Sequence, residues 1–314
     1  MSLKTEIREL LLDKLALQYS KYENYEVTYN HMSEALFYST IDDLCTKNMP
    51  AHFTGFLKKN PEAFEIPDKD TIINSLIDTK LEVAVTPKGN ADAPVDGKYF
   101  AKPFITEMTL RSLLEKFDDN SDSDSNRQYY FQSQNDNLQH IVELGCPIPR
   151  KLPISENTRL FGFQNAANLW IGNKGTTSRL HSDNFDNIYV QVSGVKRIHL
   201  IPPCYSSELE EKMLIPCTYN ESMELIEDTD TRPVLFPTLD PETLEDERKL
   251  AAFPMVVVDL YPGDVLFLPA LWYHQITILG PDVNISLNYW HKPFEDEVRW
   301  ADWNFCRQIG QLIK

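Results

Sequence analysis

"HSDNFDNIYVQVSGVKRIHLI" (residues 181–201) holds two chemical signals in consecutive predicted strands. His181 and Asp183 lie two residues apart, and side chains two apart in a strand point to the same side, so both can bind one metal ion. Such a pair arises easily by chance in an acidic chain, so a metal site also needs a third ligand. Lys196 follows in the second strand, among apolar neighbours.

The alternation of "VKRIHLI" predicts that Lys196 points into the protein. Lys196 shares one face of the strand with Ile198 and Leu200. Arg197 and His199 mark the opposite face, which we predict to be the outer one. A buried ammonium group is costly unless it meets a carboxylate. That carboxylate belongs either to an acidic residue of the protein or to a bound ligand, and the alternation leaves both open.

A third candidate metal ligand is His274, in "LPALWYHQI" near the start of a later strand. Two imidazoles and one carboxylate form the ligand set of non-haem Fe(II) oxygenases and leave positions open for a chelating cosubstrate and O2. If that cosubstrate is 2-oxoglutarate, its distal carboxylate would meet Lys196, with hydroxyl groups added by Ser178 and Tyr130. The alternative is that His274 is a core histidine beside Trp272.

Residues from 128 onward predict a mainly β fold with flanking helices. Short segments rich in β-branched and aromatic residues, such as "ANLWIG", "NIYVQV", "DVLFLPA" and "NISLNYW", alternate with turns. No helix-length pattern separates most of them, which argues against a parallel βαβ sheet. The pattern favours a barrel or a double-sheet, cupin-like jelly roll. We interpret "VSGVK" and "YPGDV" as hairpin turns between paired strands.

The chain divides into three predicted regions. Residues 1–127 form a helical and mixed region that packs on the barrel, residues 128–293 form the barrel, and residues 294–314 form an amphipathic helix. Residues 204–254, rich in prolines and acids, are predicted to be an insertion between two strands. The C-terminal helix either packs on the barrel or pairs two copies of the chain in a homodimer. Its apolar residues are Val298, Trp300, Trp303, Ile309 and Leu312.

Two helices and a linker are predicted within the first region. "DKDTIINSLIDT" (68–79) has Asp70 placed to cap a short helix, and "MTLRSLLEKF" (108–117) has Thr109 at its N-cap. The acidic run "DDNSDSDSN" (118–126) is predicted to be a solvated linker, with a gate beside the site as the alternative.

Composition argues against some classes of partner. The 314-residue chain is 42% hydrophobic and 25% charged, as ordinary globular proteins are, and its formal net charge is −17. Such a surface repels a phosphate backbone, so we do not expect nucleic acid as a partner. It suits a basic, lysine-bearing partner, although the same charge occurs in proteins that are simply soluble.

Cysteine usage and hydropathy predict an intracellular protein. The five cysteines are odd in number and scattered, without a C-x-x-C spacing, which indicates neither a disulfide framework nor a zinc ribbon. No apolar run reaches the length of a membrane span, and the N-terminal segment reads as a charged amphipathic helix rather than a secretory signal. We therefore expect the cytosol or the nucleus and no membrane association.

These motifs resemble the JmjC (Jumonji C) domain of Fe(II)- and 2-oxoglutarate-dependent oxygenases. "LHSDNFDNIYVQVSGVKRIHLIPP", "PGDVLFLPALWYHQI" and "SLNYW" are similar to the core motifs of that family. The resemblance implies a double-stranded β-helix in which iron is bound by His181, Asp183 and His274. The family's lysine for 2-oxoglutarate falls on Lys196. Its further cosubstrate-binding positions fall on Tyr130, Ser178, Asn187 and Asn288.

Further motifs are similar to one subgroup, the Jumonji-domain protein seven type of lysyl hydroxylase. They are "EVAVTPKGNADA", "YFQSQNDNL", "NLWIG" and "FPTLDPE". The chain departs from the subgroup at Ser178, where threonine is expected and the hydroxyl group is retained. The resemblance implies C3 hydroxylation of a lysyl residue in a protein substrate, with GTP-binding proteins of the developmentally regulated class as substrates, and a homodimer.

Two alternatives to a hydroxylase stay open. The first is a histone N-methyl-lysine demethylase, which uses the same iron and cosubstrate, and the second is a non-catalytic cupin-like binding protein. The chain has no cysteine cluster for the zinc-bound reader domains that many demethylases carry. A degenerate site would be expected to lack a metal ligand or the lysine, and all four are present. Both observations favour the hydroxylase.

Overall fold

The computed structural model describes residues 5–7, 9–10, 25, 27–118, 127–132, 136–159, 161–244, 254–293 and 296–313. Most of the predicted N-terminal helix, and the acidic linker beyond Asp118, lie outside these ranges. The strands are β1 (Thr28–Asn30), β2 (Ala51–Thr54), β3 (Lys80–Thr86), β4 (Ala93–Val95), β5 (Tyr99–Lys102), β6 (Phe104–Thr109), β7 (Gln128–Tyr130), β8 (Gln164–Gly172), β9 (Thr177–Ser182), β10 (Asp186–Ser193), β11 (Val195–Ile201), β12 (Lys212–Tyr219), β13 (Leu225–Glu227), β14 (Val234–Phe236), β15 (Val256–Leu260), β16 (Val265–Leu268), β17 (Tyr273–Leu279) and β18 (Asn284–His291). The helices are α1 (Glu34–Lys47), α2 (Phe56–Lys59), α3 (Lys69–Leu76), α4 (Leu110–Asp118), α5 (Asn137–Glu143), α6 (Ile154–Asn157) and α7 (Asp296–Ile313), with a 3-10 turn at Pro203–Glu208.

Two sheets form the body of the protein. The larger has the order β1-β2-β16-β10-β18-β8, and the smaller has the order β15-β11-β17-β9. Along the chain, β8 to β11 alternate between the larger and the smaller sheet, and β15 to β18 alternate in the opposite phase. Strands that wind between two sheets in this way form a double-stranded β-helix, the jelly-roll architecture. The predicted mainly β fold with flanking helices is therefore confirmed.

The predicted hairpins at "VSGVK" and "YPGDV" are wrong. Strands β10 and β11, on either side of Gly194, lie in different sheets, and so do β15 and β16 on either side of Gly263. Both glycines have a positive φ, 69° and 94°, so each stretch does form a turn. Turn chemistry decides where the chain reverses, whereas distant partner strands decide which sheet each arm joins.

The N-terminal region extends the larger sheet. Strand β2 pairs with β16, with Phe53 opposite Val265. In α1, Phe37, Ile41 and Leu44 recur at helical spacing and are buried in the same core as these strands. The segment between β11 and β15 carries β12 to β14, and β12 pairs in parallel with β5. One small sheet therefore joins this segment to the N-terminal region.

The predicted outer face of β11 is only partly solvent-exposed. Arg197 is partly exposed and binds Asp259 on the neighbouring strand, with 2.8 Å between Nε and Oδ1. His199 is buried, because the segment between β11 and β15 folds over it and brings Glu242 to 4.0 Å from its Nδ1. The predicted outer face of β11 thus leaves Arg197 partly exposed and is covered by protein at His199.

One predicted N-cap is confirmed and one is wrong. Thr109 precedes α4, and its Oγ1 accepts a hydrogen bond of 3.2 Å from the backbone N–H of Ser112. The cap of α3 is Asp68 rather than Asp70, since the Asp68 carboxylate accepts from the N–H of Thr71 at 2.8 Å. An N-cap needs extended backbone angles, which Asp68 has, whereas Asp70 already lies inside the first turn.

Helix α7 packs one face on the barrel. Arg299 donates to the fully buried carboxylate of Asp186 at 3.0 Å and also to the backbone carbonyl of Cys45. Trp303 donates from its indole N–H to the hydroxyl of Tyr273 at 3.1 Å. The helix is thus anchored at its N-terminal half by a buried ion pair and an aromatic contact.

The other face of α7 is exposed. Val298, Trp300 and Phe305 each leave about half of their surface in solvent. The homodimer would cover this face and stays a prediction. The side chains of Ile309 and Leu312 lie outside the described residues. None of the described helices combines the length and the apolar character that crossing a membrane requires.

Gly194→Ala is expected to destabilise the protein more than Gly280→Ala. Both glycines lie at turns between the two sheets, with φ of 69° and 73°. A Cβ at Gly194 would meet Nδ2 of Asn284 at 2.7 Å, whereas a Cβ at Gly280 meets nothing within 4 Å. The left-handed backbone alone is expected to lower the free energy of unfolding of Gly280→Ala by about 1 kcal/mol. The added clash should raise the loss in Gly194→Ala to about 2–3 kcal/mol. Urea denaturation measures both, and equal losses would show that Asn284 moves aside freely.

Candidate metal and cosubstrate site

The register of two strands brings His181 and His274 together. His181 lies on β9 and His274 on β17, and the two are directly opposite each other in this antiparallel pair. Side chains opposed in this way have Cβ atoms about 5 Å apart. The two imidazole centroids are accordingly 4.3 Å apart. Two histidines that are distant in sequence thus become neighbours through one strand pairing.

Asp183 completes a cluster of three ligands. Its carboxylate oxygens lie 3.8 Å from Nε2 of His181 and 3.7 Å from Nε2 of His274. Each Nδ1 faces a backbone carbonyl, that of Arg179 at 2.7 Å and that of Trp272 at 3.0 Å. Because a carbonyl only accepts, each Nδ1 donates and each Nε2 keeps a lone pair for a metal. The three ligand atoms lie within 4.8 Å of one another and can hold a metal ion.

The protonation state of His274 also suits metal binding. Burial, and after it the adjacent His181, lower the pKa of His274 to about 4. The imidazole is therefore neutral at ordinary pH, as a metal ligand must be. Two imidazole nitrogens and one carboxylate oxygen are the donor set of non-haem Fe(II) sites, so the residues fit that ion.

Lys196 lines the same cavity as the three ligands and is only 1% exposed. Its Nζ donates to the hydroxyl groups of Tyr189 at 2.6 Å, Ser286 at 2.8 Å and Tyr130 at 3.1 Å. Within the described ranges no carboxylate pairs with it, and burial lowers its pKa to about 7. The protein acid that the sequence left open as a partner is therefore absent from the described part of the chain.

The predicted site residues line one cavity between the two sheets, and two polar atoms of its wall lack partners. Buried Oδ1 of Asn187 and buried Nε1 of Trp290 have no hydrogen-bond partner among the residues that the structure describes. Unsatisfied buried polar atoms at a cavity wall are groups that a bound ligand would satisfy. The predicted residues on this wall are Tyr130, Ser178, His181, Asp183, Asn187, Lys196, His274 and Asn288.

A family model described as a cupin-like domain matches residues 39–297, which is most of the chain. The chain belongs to the cupin-like JmjC family. It is 27% identical to JmjC domain-containing protein E of Dictyostelium discoideum over 78% of both chains. It is 25% identical to lysine-specific demethylase JMJ32 of Arabidopsis thaliana, over 77% of this chain and 74% of that protein. It is 28% identical to bifunctional peptidase and (3S)-lysyl hydroxylase JMJD7 of Homo sapiens over 68% of both chains.

These relatives confirm the resemblance to JmjC oxygenases that the sequence motifs indicated. JmjC proteins are typically 2-oxoglutarate oxygenases that depend on Fe(II), and the His-Asp-His cluster of this chain matches that requirement. The names of these relatives include both a demethylase and a hydroxylase, so they do not single out one reaction.

Two hydroxyl groups of this JmjC site were not predicted from the sequence. Tyr189 and Ser286 both bond to Lys196, and they also bond to each other at 2.7 Å. Tyr189 lies two residues after Asn187 on β10, and Ser286 lies two residues before Asn288 on β18. Since residues two apart share a face of a strand, the alternation around the predicted asparagines is the signal that identifies both.

The segment between β11 and β15 contacts the two strands of the metal cluster from outside the cavity. Asp240 accepts from Nε2 of Gln275 at 2.8 Å and pairs with the guanidinium of Arg179. Arg179 is the residue whose carbonyl orients His181, and Gln275 directly follows His274. Asp240 therefore ties β9 to β17 at the level of the two histidines, which makes it a positioning residue.

A groove opens beside the cavity. Ser178 and His181 line both spaces, so the two adjoin at the metal cluster. Ser178 was predicted to bind the same carboxylate as Lys196, and the structure places it at this junction without a hydrogen bond to Nζ. Other groove residues are Glu82, Asp92, Phe100, Lys102, Gln132 and Phe236.

Alanine in place of His181, Asp183 or His274 is expected to weaken Mn(II) binding by more than about 100-fold, because an incomplete ligand set holds a divalent ion poorly. His199→Ala is a matched control. His199 also lies in the smaller sheet, is buried and has Glu242 at 4.0 Å, but no second histidine joins it among the described residues. Titration followed by electron paramagnetic resonance measures free Mn(II). Equal losses in His199→Ala and His181→Ala would contradict this site.

Proposed function

We propose that this chain is an Fe(II)- and 2-oxoglutarate-dependent dioxygenase that hydroxylates a lysyl residue of a protein substrate. The observation that carries the proposal is Lys196, a buried lysine with three hydroxyl partners and no acid among the described residues, in the same cavity as the His-Asp-His cluster. 2-Oxoglutarate carries a carboxylate at each end. One end would bind at the metal, and the other would supply the acid that Lys196 lacks.

The hydroxyl groups around Lys196 suit a carboxylate. Burial raises the pKa of Tyr130 and of Tyr189, so both phenols keep their protons. A carboxylate arriving at Nζ would therefore receive hydrogen bonds from neutral hydroxyl groups as well as from the ammonium. Charge-assisted bonds of this kind are about twice as strong as neutral ones. They would offset the desolvation that disfavours a charged Lys196.

An Fe(II) ion held by the cluster would supply, with 2-oxoglutarate and O2, the oxidation that inserts one oxygen atom into a substrate C–H bond. The chain holds and shields these reactants. Backbone carbonyls fix both imidazoles so that each Nε2 faces Asp183. Trp170, Ile276 and Trp290 line the cavity and exclude water from it.

A lysine substrate has two supports. The 28% identical human relative is named a (3S)-lysyl hydroxylase, and the sequence motifs resemble its subgroup. On that ground GTP-binding proteins of the developmentally regulated class are the first substrates to test. Lysine demethylation is the second candidate, because a relative of 25% identity is named a lysine-specific demethylase.

Lys196→Met is expected to abolish the thermal stabilisation that 2-oxoglutarate gives to the Mn(II)-loaded protein. Methionine keeps an unbranched apolar stem in the buried position and removes the amine that has no carboxylate partner among the described residues, so the ligand-free variant should fold. Differential scanning fluorimetry measures Tm with and without 2-oxoglutarate. An undiminished shift in Lys196→Met would show that the carboxylate is held elsewhere.

The pH dependence of this stabilisation is a second check on Lys196. Below pH 7 the amine of the ligand-free protein is charged and ready to bind a carboxylate, because its pKa is about 7. Above pH 7 the amine is neutral, and 2-oxoglutarate binding must take up a proton. The affinity of the unmodified protein should therefore fall by up to about tenfold per pH unit above 7. Any affinity for 2-oxoglutarate that Lys196→Met keeps should not decrease with pH in this way.

A lysine-bearing fragment of a GTP-binding protein of the developmentally regulated class is expected to gain one oxygen atom on a single lysine. The reaction contains the chain, Fe(II), 2-oxoglutarate and O2, and peptide mass spectrometry locates the oxygen. His181→Ala should give no gain, because it removes a metal ligand. Methylated lysine peptides run in parallel: loss of a methyl group without hydroxylation of the fragment would favour the demethylase. Consumption of 2-oxoglutarate without either product would contradict a lysine substrate.

A further inference from the structure

We infer that Asp92 binds the side-chain ammonium group of the substrate lysine and gives this site its preference for lysine. The inference rests on the proposed lysyl hydroxylase function. Asp92 lies in the groove beside the metal cluster, and the groove shares Ser178 and His181 with the inner cavity. A side chain lying in the groove therefore lies beside the cluster.

Asp92 is an acid of the groove whose charge is only partly compensated, because burial raises its pKa more than the nearby His181 and Lys102 lower it. Two cations line the same groove, Arg179 and Lys102. Arg179 pairs with Asp240, and Lys102 pairs with Asp228 at 2.6 Å, so both cations already form ion pairs with acids that do not line the groove. Across the described ranges Asp92 forms no ion pair. A partly buried carboxylate without an ion-pair partner favours the binding of a cationic ligand.

Neighbouring groups strengthen the negative character of this wall. Glu82, also in the groove, is exposed and forms no ion pair with another described residue. The neutral amide of Gln132 approaches Asp92 at 3.5 Å and orients its carboxylate without neutralising it. The groove thus presents two acids that form no ion pair with a described residue, Asp92 inside and Glu82 at the rim.

Backbone geometry holds Asp92 in place. The N–H of Thr177 donates to the carbonyl of Gly89 at 2.8 Å, so the loop before Asp92 is bonded to β9, the strand of His181. A Cβ at Gly89 would lie 2.1 Å from the carbonyl oxygen of Gly175, so only glycine permits this approach. Asp92 itself has a φ of 52°, which aspartate and asparagine tolerate better than most residues.

The remaining wall of the groove suits a lysine stem. Phe100 and Phe236 pack with centroids 5.0 Å apart, and Pro103 and Ile105 extend the apolar surface. A lysine side chain is a run of methylene groups that ends in a compact ammonium ion. Apolar walls beside the Asp92 carboxylate complement both parts, because stems of this kind bury along apolar surface while the charged end finds a polar partner.

The test uses n-butylammonium as a probe for the lysine side chain and n-butanol as its neutral counterpart. The protein is loaded with Mn(II), whose paramagnetism enhances the relaxation of probe protons bound near the cluster. Asp92→Asn removes the charge and keeps a residue that tolerates the positive φ. Glu107→Gln is the matched control: it removes one charge from an exposed residue outside the groove, where Glu107 pairs with Lys80.

We expect the unmodified protein and Glu107→Gln to prefer the amine to the alcohol. In Asp92→Asn the affinity for the amine should fall by about tenfold while that for the alcohol stays the same, as loss of a partly buried ion pair predicts. Equal losses in both variants would overturn the inference, because the overall negative charge would then explain the preference. If Mn(II) binds but Asp92→Asn keeps its affinity for n-butylammonium, the inference is also overturned and the proposed function stands. Failure of Mn(II) to bind would overturn both.

Discussion

The antiparallel register between β9 and β17 is the constraint on which the candidate site depends. It sets His181 opposite His274, and a slip of one residue would turn one imidazole away from the cavity. The same register is held from the outer face, where Asp240 binds Arg179 and Gln275. Residues that line no part of the inner cavity therefore contribute to its geometry. Two histidines placed on paired strands in this way are held more rigidly than histidines on loops.

The second constraint is the burial of Lys196. Because its pKa in the folded protein is about 7 and lies near 10.4 in an unfolded chain, the unfolded state binds more protons between these values. The contribution of Lys196 to stability is therefore unfavourable at and below pH 7 and becomes less so as the pH rises through this window. A chain selected for stability alone would replace the amine with an apolar group. The presence of a buried lysine with three hydroxyl partners is typical of a site in which a bound ligand supplies the opposite charge.

The sequence predicts those parts of the site that depend on local alternation and on motifs. Lys196 points inward as "VKRIHLI" indicates, and the alternation around Asn187 in β10 accounts for Tyr189. The features that could not be predicted depend on segments distant along the chain. Gly194 forms a turn, but the partners of β10 and β11 decide that it joins two sheets; His199 is buried because the segment between β11 and β15 covers it. Asp92 reaches the groove only through the contact of its loop with β9, which no sequence pattern specifies.

The two spaces that meet at the metal cluster have opposite electrostatic character. The inner cavity carries the cation Lys196, whereas the groove carries Asp92 and Glu82, two acids that form no ion pair with a described residue. A dicarboxylate is attracted to the first and repelled by the second, and an ammonium group experiences the reverse. Specificity of this kind depends on repulsion from the wrong space as much as on attraction to the right one. With a formal net charge of −17, the chain also favours the approach of a basic protein segment and disfavours that of an acidic one. One arrangement of charges would thereby sort cosubstrate from substrate around a single metal ion.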